Sequence, residues 1–185
     1  MAKRKRTGFG AYPLRYLALG LLMGGPAHGY QLDQTLGKVF GMIWKAGQTK
    51  LYVTLSTLEK EGALRIETEK QENRPDRKVY HLTEVGRGEF LKWVEKPVSS
   101  LQAVRVELLA KLRFYDWLRL PGVKHLITAQ QEIFQSMINE WKQDQDLEDD
   151  PFICQVYDFR IKQAQFILEW LAGFPLEVFP GEQGD

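Results

Sequence analysis

The spacing of apolar positions changes twice along this chain. From Pro13, leucines and alanine recur at helical spacing, at Leu14, Leu17, Ala18, Leu21 and Leu22. Pro13 suits a first helical turn, and Gly24-Gly25-Pro26 stops the helix. A second short helix is predicted from Gly29-Tyr30, carrying Tyr30, Leu32 and Leu36, with Gly37 and Gly41 loosening its end. A third is predicted from about Gln48 to Lys60, with Leu51, Leu55 and Leu58 as its inner stripe and Gly62 at the C-terminal cap.

The period then drops to two. Leu64, Ile66 and Thr68 alternate with charged residues over Ala63 to Lys70, and Val79 to Thr83 forms a second extended run. The polar segment Gln71 to Lys78 between them reads as the tip of a β-hairpin. Thr83, before Glu84-Val85, is the expected N-cap of a helix running to about Val94. Pro97 to Ser100 reads as a linker. Helical spacing then returns, giving three helices near 101–119, 122–147 and 152–172, with breaks at Pro121-Gly122 and Asp149-Asp150-Pro151.

The order helix, helix, helix, hairpin is that of a winged helix-turn-helix. The expected fold class is therefore mostly α, with an α+β wing: a winged helix-turn-helix domain over 13–96 and a C-terminal three-helix arm over 101–175. Residues 1–12 are expected as a flexible basic arm and 176–185 as a tail.

Charge gives this division a chemical meaning. Residues 1–100 hold 17 Lys and Arg against 10 Asp and Glu, whereas residues 101–185 hold 8 against 14. The net of +1 thus conceals a basic half suited to a polyanion and an acidic half that a polyanion repels. With Leu51, Leu55 and Leu58 turned inward, the third helix presents Thr49, Val53, Ser56, Thr57 and Lys60, with Lys50 and Tyr52 on its flanks. Short polar and cationic side chains on a helix fit the major groove, where base edges are read by hydrogen bonds and methyl contacts. Arg74, Arg77 and Lys78 on the hairpin supply cations for phosphates. Tyr30 joins this candidate DNA-binding set, and Tyr52 either touches phosphate or packs on the wing. The basic run Lys3-Arg4-Lys5-Arg6 is a further candidate, for a minor groove.

Other chemistry finds little footing. One cysteine, Cys154, forms neither an internal disulfide nor a four-ligand zinc site, and reads as a small core residue. His28, His81 and His125 stand apart from one another and read as structural. Gly24-Gly25-Pro26-Ala27-His28-Gly29 lacks the Lys-Ser/Thr of a phosphate loop and reads as a turn between helices. No nucleophile–base pair, metal spacing or cofactor loop supports an enzyme. The expectation is a cytoplasmic protein with no metal, no cofactor and no membrane partner.

In the arm, Leu108, Leu112 and Tyr115 on its first helix, and Phe152, Phe159, Phe166 and Leu171 on its last, are the candidate dimerisation residues. The phenylalanines recur every seven residues, the pattern of a face meeting a partner helix, here preferred to an effector pocket. Trp93, Trp117, Trp141 and Trp170 are the alternative, as pocket walls.

Leu19-Gly20-Leu21-Leu22, Gly25-Pro26-Ala27-His28-Gly29-Tyr30, Leu51-Tyr52, Leu58-Glu59-Lys60-Glu61-Gly62 and the run Arg74 to Gly86 together resemble the PadR family of transcription regulators. Val53 stands where that family often has proline. The resemblance is detailed over 13–95 and looser in the arm. It implies a homodimeric repressor that binds an inverted-repeat operator in double-stranded DNA, in some members released by a small aromatic molecule. A winged helix used only for protein–protein contact is the alternative.

Overall fold

A computed structural model describes residues 13–43, 47–69 and 77–179. Contacts divide the chain into two compact units, Met1–Trp93 and Val94–Asp185.

The first unit holds α1 (Leu14–Leu22), β1 (Ala27–His28), α2 (Gly29–Phe40), α3 (Gln48–Lys60), β2 (Leu64–Glu69), β3 (Arg77–Leu82) and most of α4 (Glu84–Glu95). Leucine runs nearly all round α1, and Leu14 and Leu17 to Leu22 are all buried there. Such a helix belongs at the centre of a core, and α1 packs against α2, α3 and β3. Leu32, Leu36 and Phe40 from α2, Leu51, Leu55 and Leu58 from α3 and Phe90 from α4 complete that core. Tyr16 stacks flat on Trp93, with ring centroids 4.8 Å apart. Arg15 is ion-paired to Glu89 and Glu61, and its hydrogen bond to Glu89 above all holds the guanidinium charged beyond its usual range.

Gly62 ends α3 with φ +75°, which lets Ala63 N–H reach back to the Leu58 carbonyl at 2.9 Å. The chain leaves that turn directly into the sheet. Thr83 caps α4 as its sequence position predicts: its hydroxyl accepts from Gly86 N–H at 3.2 Å and lies 2.8 Å from the Gly62 carbonyl and 2.9 Å from that of Ala63. One side chain thereby ties the end of α3 to the end of the hairpin.

The sheet is antiparallel, in the order β1-β3-β2. β2 and β3 pair from Leu64↔Leu82 to Glu69↔Arg77. Two expectations change here. Arg77 and Lys78, assigned above to the hairpin tip, are strand residues of β3, because Glu69 and Thr68 at the end of β2 need partners. Ala27-His28, read as part of a plain turn, forms a third strand against Tyr80 and Val79. The tip residue Arg74 and the arm Lys3 to Arg6 lie outside the described residues.

The second unit holds α5 (Leu101–Ala103), a π-helical turn at Val104–Leu108, α6 (Leu109–Trp117), α7 (Val123–Asp146), α8 (Pro151–Ala172) and a 3-10 turn at Leu176–Val178. Val104 and Leu108 place the first expected helix, 101–119, across α5, the π turn and α6. α7 buries Val123, Leu126, Ile127, Gln130, Phe134, Ile138 and Trp141, and α8 folds back on it with Ile161, Ala164, Ile167 and Leu171. Asp150 starts α8, accepting from Phe152 N–H at 2.8 Å, with Pro151 in the first turn.

Pro97 to Ser100, expected as a linker, is built into this unit. Val98 is buried, and both its backbone groups bond to the fully buried Gln130 amide, at 2.7 and 2.8 Å. Lys111 is likewise fully buried. It pairs with Glu107 at 2.8 Å and donates to the Lys96 carbonyl.

Candidate nucleic-acid interface

On α3 the stripe Leu51, Leu55, Leu58 is wholly buried, so the opposite face is committed to solvent. Thr49, Lys50, Tyr52, Val53, Ser56 and Thr57 are all exposed, and no acidic residue precedes Glu59 on this helix. Val53, at 62% exposure, stands uncovered at the crest of the helix. The Thr57 hydroxyl donates to the Val53 carbonyl at 3.0 Å, so its oxygen keeps its capacity to accept. Thr54 makes the same bond to Lys50, at 2.9 Å.

Beside this helix, Arg77 and Lys78 project exposed from β3, and Tyr30 is exposed at the start of α2. A notch of about 470 Å³ gathers Tyr30, Tyr52, Ser56, Arg77 and Lys78 with His28 and Tyr80. The β-strand missed in the sequence builds this notch. β1 pairs His28 with Val79, and its ring nitrogen Nδ1 lies 3.2 Å from the Lys78 carbonyl. His28 stacks on Tyr30, with centroids 5.6 Å apart, and its Nε2 is 3.8 Å from Glu69. Burial raises the Tyr80 hydroxyl pKa above its ordinary value, with Tyr52 and Glu59 adding to the effect.

Residues 18–92 match the model of the transcriptional regulator PadR-like family. These residues are a PadR-like transcriptional regulator domain. A probable transcriptional regulator of Mycobacterium tuberculosis is 35% identical over 77 residues, 42% of this chain. That stretch spans 41% of the relative's own length. The negative transcriptional regulator PadR of Bacillus subtilis is 27% identical over 127 residues, 69% of this chain and 70% of its own. Its crystal structure in complex with operator DNA has 22% identity and a TM-score of 0.47, covering 87% of this chain and 97% of that one. Its structure in complex with p-coumaric acid gives 22% and 0.43, covering 89% and 98%.

Outside the PadR-like domain, the seven candidate dimerisation residues separate into two groups. Leu108, Leu112, Tyr115 and Leu171 are buried within the single chain, at 0–4% exposure. Their apolar spacing reflects packing of the chain's own interior, and as they stand they offer no surface to a second chain. Phe152, Phe159 and Phe166 are exposed at 74, 66 and 68%. Val156 is exposed between them. The tryptophans are engaged locally: Trp93 under Tyr16, Trp117 against Phe114, Trp141 beneath the Arg160 guanidinium and Trp170 against Phe174.

Cys154 is half-buried, its thiol 3.4 Å from the Glu148 carbonyl. Among the described residues no group of three His, Cys, Asp or Glu is placed to hold a metal. No helix there is long and apolar enough to cross a membrane.

Proposed function

We propose that this PadR-like regulator is a repressor that binds an inverted-repeat operator as a homodimer. The observation that carries the reading is the exposed face of α3, free of carboxylates up to Glu59 and flanked by Arg77 and Lys78. A duplex accepts such a helix in its major groove, and cations beside it bind phosphate. Thr49, Lys50, Val53, Ser56 and Thr57 meet the groove, with Tyr30, Tyr52, Arg74, Arg77 and Lys78 at the backbone. The name of the Bacillus subtilis relative, a negative regulator, supports repression. Pairing of two chains through the exposed phenylalanines of α8 supplies the second head that an inverted repeat requires. Release by a small aromatic molecule is the remaining part of the reading, and it comes from the family resemblance.

The test is a gel shift of the full chain on its own upstream DNA at two salt concentrations. Retention that weakens with salt, and is lost in a Lys50→Ala, Arg77→Ala double variant, is the expected result. Failure to shift any genomic fragment would instead favour a winged helix used for protein contact.

A further inference from the structure

The notch beside α3 is lined by groups that mostly give hydrogen bonds. Tyr30, Tyr52 and Ser56 bring hydroxyls, Arg77 and Lys78 bring cations, and no carboxylate lines it. Glu69 borders it, 3.8 Å from His28 Nε2 and paired across the sheet with Arg77, and Glu59 acts on Tyr80 from nearby, but neither is among the lining residues. A base edge shows donors as well as acceptors, whereas a phosphodiester shows acceptors alone and carries a charge. We infer that this notch is the seat of one backbone phosphodiester of the duplex, an inference that rests on the DNA-binding reading above.

The inference redistributes the work of α3. At 3.6 residues per turn, Tyr52 and Ser56 share the flank that lines the notch, Thr49 and Val53 form the crest, and Lys50 and Thr57 lie on the far flank. Ser56, grouped above with residues that meet the groove, becomes a positioning residue. Thr49, Lys50, Val53 and Thr57 are left to choose sequence. Three separate elements — α2, α3 and β3 — supply the donors, so the seat also fixes how far the helix enters the groove.

The experiment uses duplexes selected from a genomic library by the full chain, then scanned with neutral methylphosphonate linkages one position at a time. One linkage per half-site should weaken wild-type binding about tenfold or more, the scale of a hydrogen bond to a charged group. The same linkage should have little further effect in a Tyr52→Phe, Lys78→Gln variant, because the contact is already gone. Ser56→Ala should select the same sequence as wild type, with weaker binding. Losses that simply add at every linkage, or a changed sequence choice in Ser56→Ala, would overturn the seat and leave the DNA reading intact. If the wild-type chain selects no duplex, both fall.

Discussion

A Cβ on Gly29 would stand 2.6 Å from Cε1 of Tyr52 and 3.1 Å from its hydroxyl oxygen. The first residue of α2 is thus bare because the ring from α3 lies across it. Alanine at 29 leaves the fold intact, since the ring is 40% exposed and can swing outward. It displaces Tyr52 from the notch. Gly29→Ala should melt within a few degrees of wild type, yet bind duplex DNA several-fold more weakly. In a Tyr52→Ala background the same change should cost nothing further, a double-mutant cycle that isolates the contact. Equal binding by wild type and Gly29→Ala would show that the position of this ring is immaterial.

Two glycines of α4 should respond in opposite directions. A Cβ at Gly86 runs into the Ala63 carbonyl oxygen and meets Leu82 Cδ1 at 2.8 Å. The oxygen belongs to backbone that already accepts from the Thr83 N–H and lies 2.9 Å from the Thr83 hydroxyl, so it cannot yield cheaply. Gly86→Ala should destabilise the first unit by about 1–3 kcal/mol, as overpacking does. Gly88, with nothing within 4 Å of its Cβ position, should become more stable as alanine, by about 0.5–1 kcal/mol. Urea melts of both variants check the pair.

These relationships bear on what could be read in advance. The helices and the hairpin were legible because each repeats its signal: Leu51, Leu55 and Leu58 mark α3, and Leu64, Ile66 and Thr68 mark β2. Thr83 and Gly62 were legible because their chemistry is local. β1 was not, since Ala27-His28 is too short for any period and exists only because β3 is beside it. Gln130 and Lys111 were missed for a related reason: nothing in the helical pattern marks one polar residue among several as buried, and the backbone groups that hold them, at Val98 and Lys96, lie 32 and 15 positions away in sequence. The dimer candidates show the limit of spacing itself. A stripe at Leu108, Leu112 and Tyr115 and a stripe at Phe152, Phe159 and Phe166 look alike in sequence, and only burial separates core from surface.

The Lys111–Glu107 pair should respond differently to the loss of one partner and to the loss of both. Lys111 is fully buried, and desolvation pushes its pKa down against the opposing pull of the Glu107 carboxylate. Removing either partner alone leaves an uncompensated charge in the interior, a loss of about 3–5 kcal/mol, whereas replacing both, Lys111→Met with Glu107→Leu, substitutes apolar volume for the whole pair and should be near neutral or stabilising. A lysine whose folded pKa lies below its unfolded value binds fewer protons folded than unfolded between those two values. This group's contribution to stability therefore rises with pH across that window, which ends near the ordinary lysine value of 10.5. Denaturant melts over alkaline pH should show this contribution in wild type and its loss in Lys111→Met. A Lys111→Met, Glu107→Leu chain as unstable as Glu107→Ala alone would contradict the assignment.

The surface of α8 gives the prediction with the widest reach. Phe152, Phe159 and Phe166 recur at seven residues, with Val156 exposed between the first two, while Ile161, Ala164, Ile167 and Leu171 on the other side are buried. An exposed apolar row of this kind is costly in water and suits a facing helix. Phe159→Glu places a charge at the middle of the row without touching the chain's interior. The variant should keep its helical content and melting cooperativity but sediment at half the mass of wild type at matched concentrations. Leu171→Glu, by contrast, buries the charge and should unfold the second unit. With pairing lost, each head binds one half-site alone. Affinity for the full operator should then fall far more than affinity for an isolated half-site, because a second contact on the same duplex is no longer at high local concentration. Sedimentation of wild type and Phe159→Glu at matched concentrations decides the matter: two species of the same mass would remove this face from the interface.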